Sequence, residues 1–93
     1  MDEPAKGLNV KIDDEELKGR YSNLLRITHT REEFILDFIN LVPPQGIVTA
    51  RVVASPTHLK RILRALSVNL ERYEKTYGVI QDVPDTSGDD SVH

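Results

Sequence analysis

The sequence predicts an α+β fold, in which an antiparallel meander of three to four strands is followed by one long C-terminal helix packed on one face of the sheet. Two observations predict it. Between Tyr21 and Ser55, segments of alternating or β-branched apolar residues end at turn signals. From Ser55 to Gly78, leucines and tyrosines recur every three or four residues, which is the spacing of one helix face.

The two ends of the chain differ from its middle. LNVKI at residues 8–12 alternates like a short strand and is the candidate fourth strand, and DDEELKG after it suits a turn or a single helical turn. The last residues are rich in Asp, Ser, Gly and Pro and short of bulky apolar groups, which favours disorder. We therefore expect an acidic N-terminal segment at 1–18, a folded domain at 19–78 and a disordered acidic tail at 79–93.

Three strand segments occupy the first part of the folded domain. YSNLLRITHT at residues 21–30 alternates, and EFILDFINLV at residues 33–42 is largely apolar on both faces. PPQG at residues 43–46 predicts a turn, because its prolines cannot continue a ladder and its glycine tolerates positive φ. IVTARVVAS, which follows it, is a β-branched strand interrupted by Arg51.

Both ends of the C-terminal helix are marked. Ser55 can cap the first turn, Pro56 suits the first helical position, and Gly78 suits the residue after the end. The helix is ~33 Å long at about 1.5 Å per residue. It is therefore long enough to lie across the whole sheet, and its apolar side is expected to form the core: Leu59, Ile62, Leu63, Leu66, Leu70, Tyr73 and Tyr77.

One helix can cover only one face of the sheet, and the strand at 33–42 carries apolar residues on the other face as well. These are Ile35, Ile39 and Leu41, beside Asp37. Exposed apolar patches usually mark an interface. A chain without cysteine has neither disulfides nor a thiolate zinc site to strengthen a small core. We expect a homodimer or higher oligomer, with Ile35, Ile39 and Leu41 at the interface.

The second candidate surface is basic. Residues 19–78 carry nine basic and five acidic side chains, whereas 1–18 and 79–93 have net charges of −3 and −4. Five of the cations fall on the helix side opposite its apolar side: Lys60, Arg61, Arg64, Arg72 and Lys75. Such a stripe can contact the phosphates of nucleic acid, or it can be a solvated face with ordinary ion pairs. Both interpretations remain open.

The sequence gives little support to catalysis, metal binding or membrane insertion. His29 and His58 could form a general base or a metal site with Asp37 or Glu33, but no spacing brings them together. The start, MDEPAKGLNV, does not resemble a signal peptide, and no apolar run approaches the roughly 18 residues of a membrane span. We expect a cytoplasmic protein that is not an enzyme and has no cofactor, metal or membrane partner.

Three segments together resemble a known family: YSN at 21–23, EFILDF at 33–38 and the helix from Ser55 to Gly78. The chain is similar, from about Val10 to Gly78, to the small prokaryotic proteins catalogued as domain of unknown function 3467. The resemblance implies no activity and no catalytic residues, and it leaves both tails outside the family pattern. The sequence thus predicts a self-associating binding or assembly module, with itself as partner. Nucleic acid, another protein or a small phosphate held between subunits are the alternatives.

Overall fold

The computed structural model describes residues 7–82. The meander and the long C-terminal helix are both confirmed, as is the single acidic turn before them. The elements are α1 (Asp14–Leu17), β1 (Leu24–His29), β2 (Phe34–Val42), β3 (Gln45–Ala54) and α2 (Pro56–Tyr77). The strands form one antiparallel sheet in the order β1-β2-β3.

The proposed fourth strand is wrong. Residues 8–12 are exposed and belong to no strand, although Leu8, Val10 and Ile12 alternate along them. Alternation alone is insufficient, because a strand also needs an edge with which to exchange backbone hydrogen bonds. The predicted disorder of 79–93 falls largely on residues 83–93, which lie outside the described residues; residues 79–82 form neither helix nor strand.

Side-chain hydrogen bonds complete the sheet at its irregular points. Asn23, just before β1, extends the pairing with β2: its Nδ2 donates to the Leu41 carbonyl at 2.9 Å, and its Oδ1 accepts from the Leu41 N–H at 2.8 Å. A bulge in β3 follows from the shift in pairing between Phe38 and Ile39. Thr49 at this bulge donates its hydroxyl to the Phe38 carbonyl at 3.1 Å. The predicted tight turn between β2 and β3 is formed by Pro43 and Pro44, whereas Gln45 and Gly46 already belong to β3 and Gly46 does not have the expected positive φ.

The ends of α2 are as predicted. The Ser55 hydroxyl accepts a hydrogen bond from the His58 N–H at 3.1 Å, and Pro56 occupies the first helical position. Gly78 follows the helix with φ of +97°, a backbone conformation that favours glycine, and its N–H donates to the Glu74 carbonyl at 2.9 Å. The helix boundaries therefore follow from local capping chemistry.

The expectation that the whole apolar side of α2 forms the core is wrong. Leu59 and Ile62 are the only apolar residues of α2 that are half-buried, and the later apolar side chains are all exposed. Among the described residues, the buried apolar side chains are Leu36, Ile39 and Ala54.

Candidate functional site

The apolar side of α2 is the most exposed hydrophobic surface on an ordered element. We call it the α2 stripe. Its exposed fractions beyond the second turn are 64% for Leu63, 63% for Leu66, 51% for Leu70, 49% for Tyr73 and 74% for Tyr77. The rings of Tyr73 and Tyr77 contact each other with centroids 4.9 Å apart. The residues predicted to form the core thus form a surface instead.

An apolar cavity separates the first turns of α2 from the sheet. We call this cavity of about 220 Å³ the cleft. Its lining residues are Leu25, Ile27 and Leu36 of the sheet and Leu59, Lys60, Ile62, Leu63 and Leu66 of α2. An apolar cavity of about 150 Å³ is large enough to hold benzene. The cleft can therefore accept an aromatic side chain.

The basic stripe on the opposite side of α2 is exposed and largely unpaired. Within residues 7–82, Lys75 is its only member with an ion pair, at 3.8 Å from Glu71, and both side chains are more than 70% exposed. Lys60, Arg61, Arg64 and Arg72 form no ion pair with any described residue. An exposed pair such as Lys75–Glu71 adds little stability. The cations of this stripe are therefore available to an external anion.

A charged cluster lies at the centre of the other sheet face. Asp37 of β2 pairs in register with Arg26 of β1 and Arg51 of β3, so all three side chains share a face. Arg51 Nε and Nη2 donate to the two carboxylate oxygens of Asp37 at 2.6 and 2.9 Å, and Arg26 Nη2 lies 3.4 Å from Oδ2. We call these three residues the Asp37 cluster. It carries a net charge of +1, because two guanidiniums share one carboxylate.

The cluster buries its carboxylate and leaves its cations exposed. Asp37 is only 2% exposed. Hydrogen bonds from Arg51 lower the pKa of Asp37 below its ordinary value; the loss of hydration opposes this, and Arg26 adds to the lowering. In return, Asp37 raises the pKa of Arg51. In the sequence Arg51 only interrupts an apolar strand, and the register shows that it neutralises a buried acid.

The residues predicted for an oligomer interface lie on the same face as the Asp37 cluster, which we call the helix-free face. Ile35 and Leu41 are half-buried, and Ile39 is 8% exposed. Gly46 lies opposite Leu41, and a Cβ added to Gly46 would be 3.2 Å from Leu41 Cδ1. Close packing inside one copy therefore covers much of this patch already.

The histidines are placed apart in the fold. His29 ends β1, with its ring 5.1 Å from that of Phe34, and His58 lies in the first turn of α2. Among residues 7–82, no three His, Cys, Asp or Glu side chains are grouped so as to hold a metal ion. Nor does that part of the chain contain a helix with the length and apolar character needed to cross a membrane.

The family model described as "Protein of unknown function (DUF3467)" matches residues 1–82. The chain belongs to this family. The match confirms the resemblance and extends it to residues 1–9 and 79–82, on either side of the segment from Val10 to Gly78. No curated protein and no solved structure shows significant similarity to this DUF3467 chain.

Proposed function

We propose that this DUF3467 protein is a non-enzymatic, cytoplasmic assembly module that acts as a homodimer or higher oligomer. One observation carries the proposal: the α2 stripe, a regular apolar surface on a well-capped helix, is left uncovered by residues 7–82 of its own chain. Regular surfaces of this kind usually mark protein contacts. A second copy is the partner that is always present.

The energetics of a small chain support self-association. Among the described residues, three apolar side chains are buried, whereas the five outer residues of the α2 stripe are 49–74% exposed. Full burial of a leucine or phenylalanine side chain is worth about 1.5–3 kcal/mol. Covering the stripe in a dimer therefore adds hydrophobic stabilisation to a small core, and small chains commonly gain stability by oligomerisation.

The mass of the full chain in solution tests the proposal. Sedimentation equilibrium from about 1 μM to about 1 mM covers association free energies of about −8 to −4 kcal/mol. We expect a mass that rises from the 10.5 kDa of one chain to a multiple of it. A mass of one chain at every concentration would overturn the proposal.

The second candidate function is polyanion binding through the basic stripe. The observation that favours it is the absence of acidic partners for Lys60, Arg61, Arg64 and Arg72 among residues 7–82. Lys60 and Arg61 also lie near the helix N-terminus, where the helix dipole disfavours cations. An arrangement that costs some stability is consistent with selection for binding.

Alanine at Lys60, Arg61 and Arg64 together tests polyanion binding. With duplex DNA as the probe, each lost phosphate contact reduces the slope of log affinity against log salt by about 1, so the triple variant should lose about 3 per chain. The matched control replaces three exposed cations outside the stripe, Lys11, Lys18 and Arg31. If the slope of log affinity against log salt is the same for the wild type and the triple variant, polyanion binding through the basic stripe is refuted.

A further inference from the structure

We propose that two copies pair through antiparallel α2 helices and that the partner's Tyr77 fills the cleft. This inference rests on the proposed self-association and specifies its surface. Three pairs of apolar residues along the α2 stripe are symmetric about Val68, whereas Ile62 is the exception, because its mirrored position is Glu74. Leu66 and Leu70 lie two residues on either side of Val68, Leu63 and Tyr73 lie five, and Leu59 and Tyr77 lie nine.

A symmetric order of this kind is what a two-fold antiparallel contact requires. In such a contact, the same surface of both copies meets, and each residue faces the one at the mirrored position. The α2 stripe then contacts itself in three layers: Leu59 with the partner's Tyr77, Leu63 with the partner's Tyr73, and Leu66 with the partner's Leu70. In every layer an apolar side chain meets an apolar side chain.

The cleft supplies the space for the aromatic end of the partner helix. It lies between Leu59, Leu63 and the sheet, where the two layers with tyrosines fall. Its volume of about 220 Å³ exceeds the roughly 150 Å³ that accommodates a benzene ring. Lys60 at the cleft offers an ammonium donor to a tyrosine hydroxyl, which usually finds a hydrogen-bond partner when buried. The cleft is incomplete without the second copy.

The charges favour α2 over the helix-free face as the self-contact. Stacking two helix-free faces would bring one Asp37 cluster, of net charge +1, against another. Like charges facing each other in an interface are costly. The basic stripe, by contrast, lies mostly on the side of α2 opposite the α2 stripe, so antiparallel pairing leaves its cations in solvent, apart from Lys60, which lines the cleft.

The exposed apolar area of the α2 stripe is large enough for a dimer interface of slightly less than standard size. The exposed parts of Leu63, Leu66, Leu70, Tyr73 and Tyr77 amount to roughly 300–500 Å² of apolar surface per copy, from typical leucine and aromatic side-chain areas. Because interfaces are about 60% apolar, this corresponds to about 500–800 Å² per copy. Standard interfaces bury about 800 Å² per partner.

Disulfide trapping tests the pairing, since the chain has no cysteine of its own. Leu66→Cys and Leu70→Cys chains, distinguished by tags of different mass, are mixed and oxidised. We expect the mixed 66–70 disulfide to exceed both homodisulfides at least tenfold, because the antiparallel contact places these two positions opposite each other. Val68→Cys, on the other side of α2, is the control and should stay unlinked.

A fluorescent probe tests the cleft separately. The chain has no tryptophan, so Tyr77→Trp reports on one site. We expect its emission to lie at shorter wavelength in the dimer and to shift to that of exposed tryptophan on dilution, whereas Tyr21→Trp, at a position 69% exposed, should not change. If the chain has the mass of a dimer but the mixed 66–70 disulfide is not preferred, or the tryptophan of Tyr77→Trp is exposed in that dimer, the helix pairing is overturned. Such a result would not contradict self-association itself. A chain that is monomeric at every concentration overturns both.

Discussion

Replacing Leu70 with alanine gives the helix pairing a quantitative test. Leu70 belongs to the α2 stripe and is 51% exposed in one copy. Complete burial of leucine is worth about 1.5–3 kcal/mol, so a partner that covers the exposed half adds about 0.8–1.5 kcal/mol. A dimer contains this side chain twice. Leu70→Ala should therefore weaken dimerisation by about 1.5–3 kcal/mol, which is a rise of about 10- to 150-fold in Kd.

Sedimentation equilibrium measures this change, with circular dichroism as a check that the helix persists. Two matched variants serve as controls. Val68→Ala removes apolar surface from the other side of α2, where Val68 is 41% exposed, and Val53→Ala does so on the helix-free face, where Val53 is 52% exposed. Exposed substitutions away from a contact change free energies by about 0.5 kcal/mol or less, so both Kd values should stay within about threefold of the wild type.

Three results would refute the reasoning. If Leu70→Ala dimerises like the wild type, the α2 stripe is not the contact. If Val53→Ala weakens the dimer and Leu70→Ala does not, the contact lies on the helix-free face, as the sequence alone suggested for Ile35, Ile39 and Leu41. Equal losses in Leu70→Ala and Val68→Ala would mean that helix stability, and not pairing, controls the measurement.

Three further variants test the fold. Ser55→Ala removes the cap of α2 and should cost about 1 kcal/mol of stability, measured by urea unfolding; no loss would mean that the cap contributes nothing. Asn23→Ala removes both side-chain hydrogen bonds to Leu41, each worth about 0.5–1.5 kcal/mol, and should lower the free energy of unfolding by about 1–3 kcal/mol. A smaller change would show that water replaces these hydrogen bonds. The pKa of Asp37 is lower in the folded protein than in the unfolded chain, where it is about 3.9. The ionised carboxylate therefore stabilises the fold at pH values above about 3.9, and this stabilisation is lost as the pH falls through the lower pKa of the folded state. Asp37→Asn should therefore be less stable at pH 7 and lack this acid-dependent loss, and an unchanged pH profile of stability would contradict the assignment.

Local chemistry made α2 and the tight turn predictable. Ser55, Pro56 and Gly78 act on the backbone next to them, so their effect can be derived from neighbouring residues alone. The turn at Pro43 and Pro44 is determined in the same way, because proline restricts its own φ angle and cannot continue a ladder. These elements formed where the sequence placed them.

Contacts between residues far apart in the chain could not be predicted from the sequence. Asp37 meets Arg26 and Arg51 only because the strand register aligns them, and a one-residue slip would put them on opposite faces. How much of α2 the sheet covers depends on how the two pack together, which the local sequence does not determine, and residues 8–12 form no fourth strand. Periodicity identified the apolar side of α2 but not what covers it.

The most direct test of the account is to detect which side chains touch between copies. Isotope-filtered NOE spectra of a mixture of labelled and unlabelled full-length chains report only contacts that cross the interface. The account predicts cross-peaks between the Leu63 methyls and the partner's Tyr73 ring, and between Leu66 and the partner's Leu70. Cross-peaks confined to Ile35, Leu41 and Val53, or none at concentrations where the mass is that of a dimer, would contradict it.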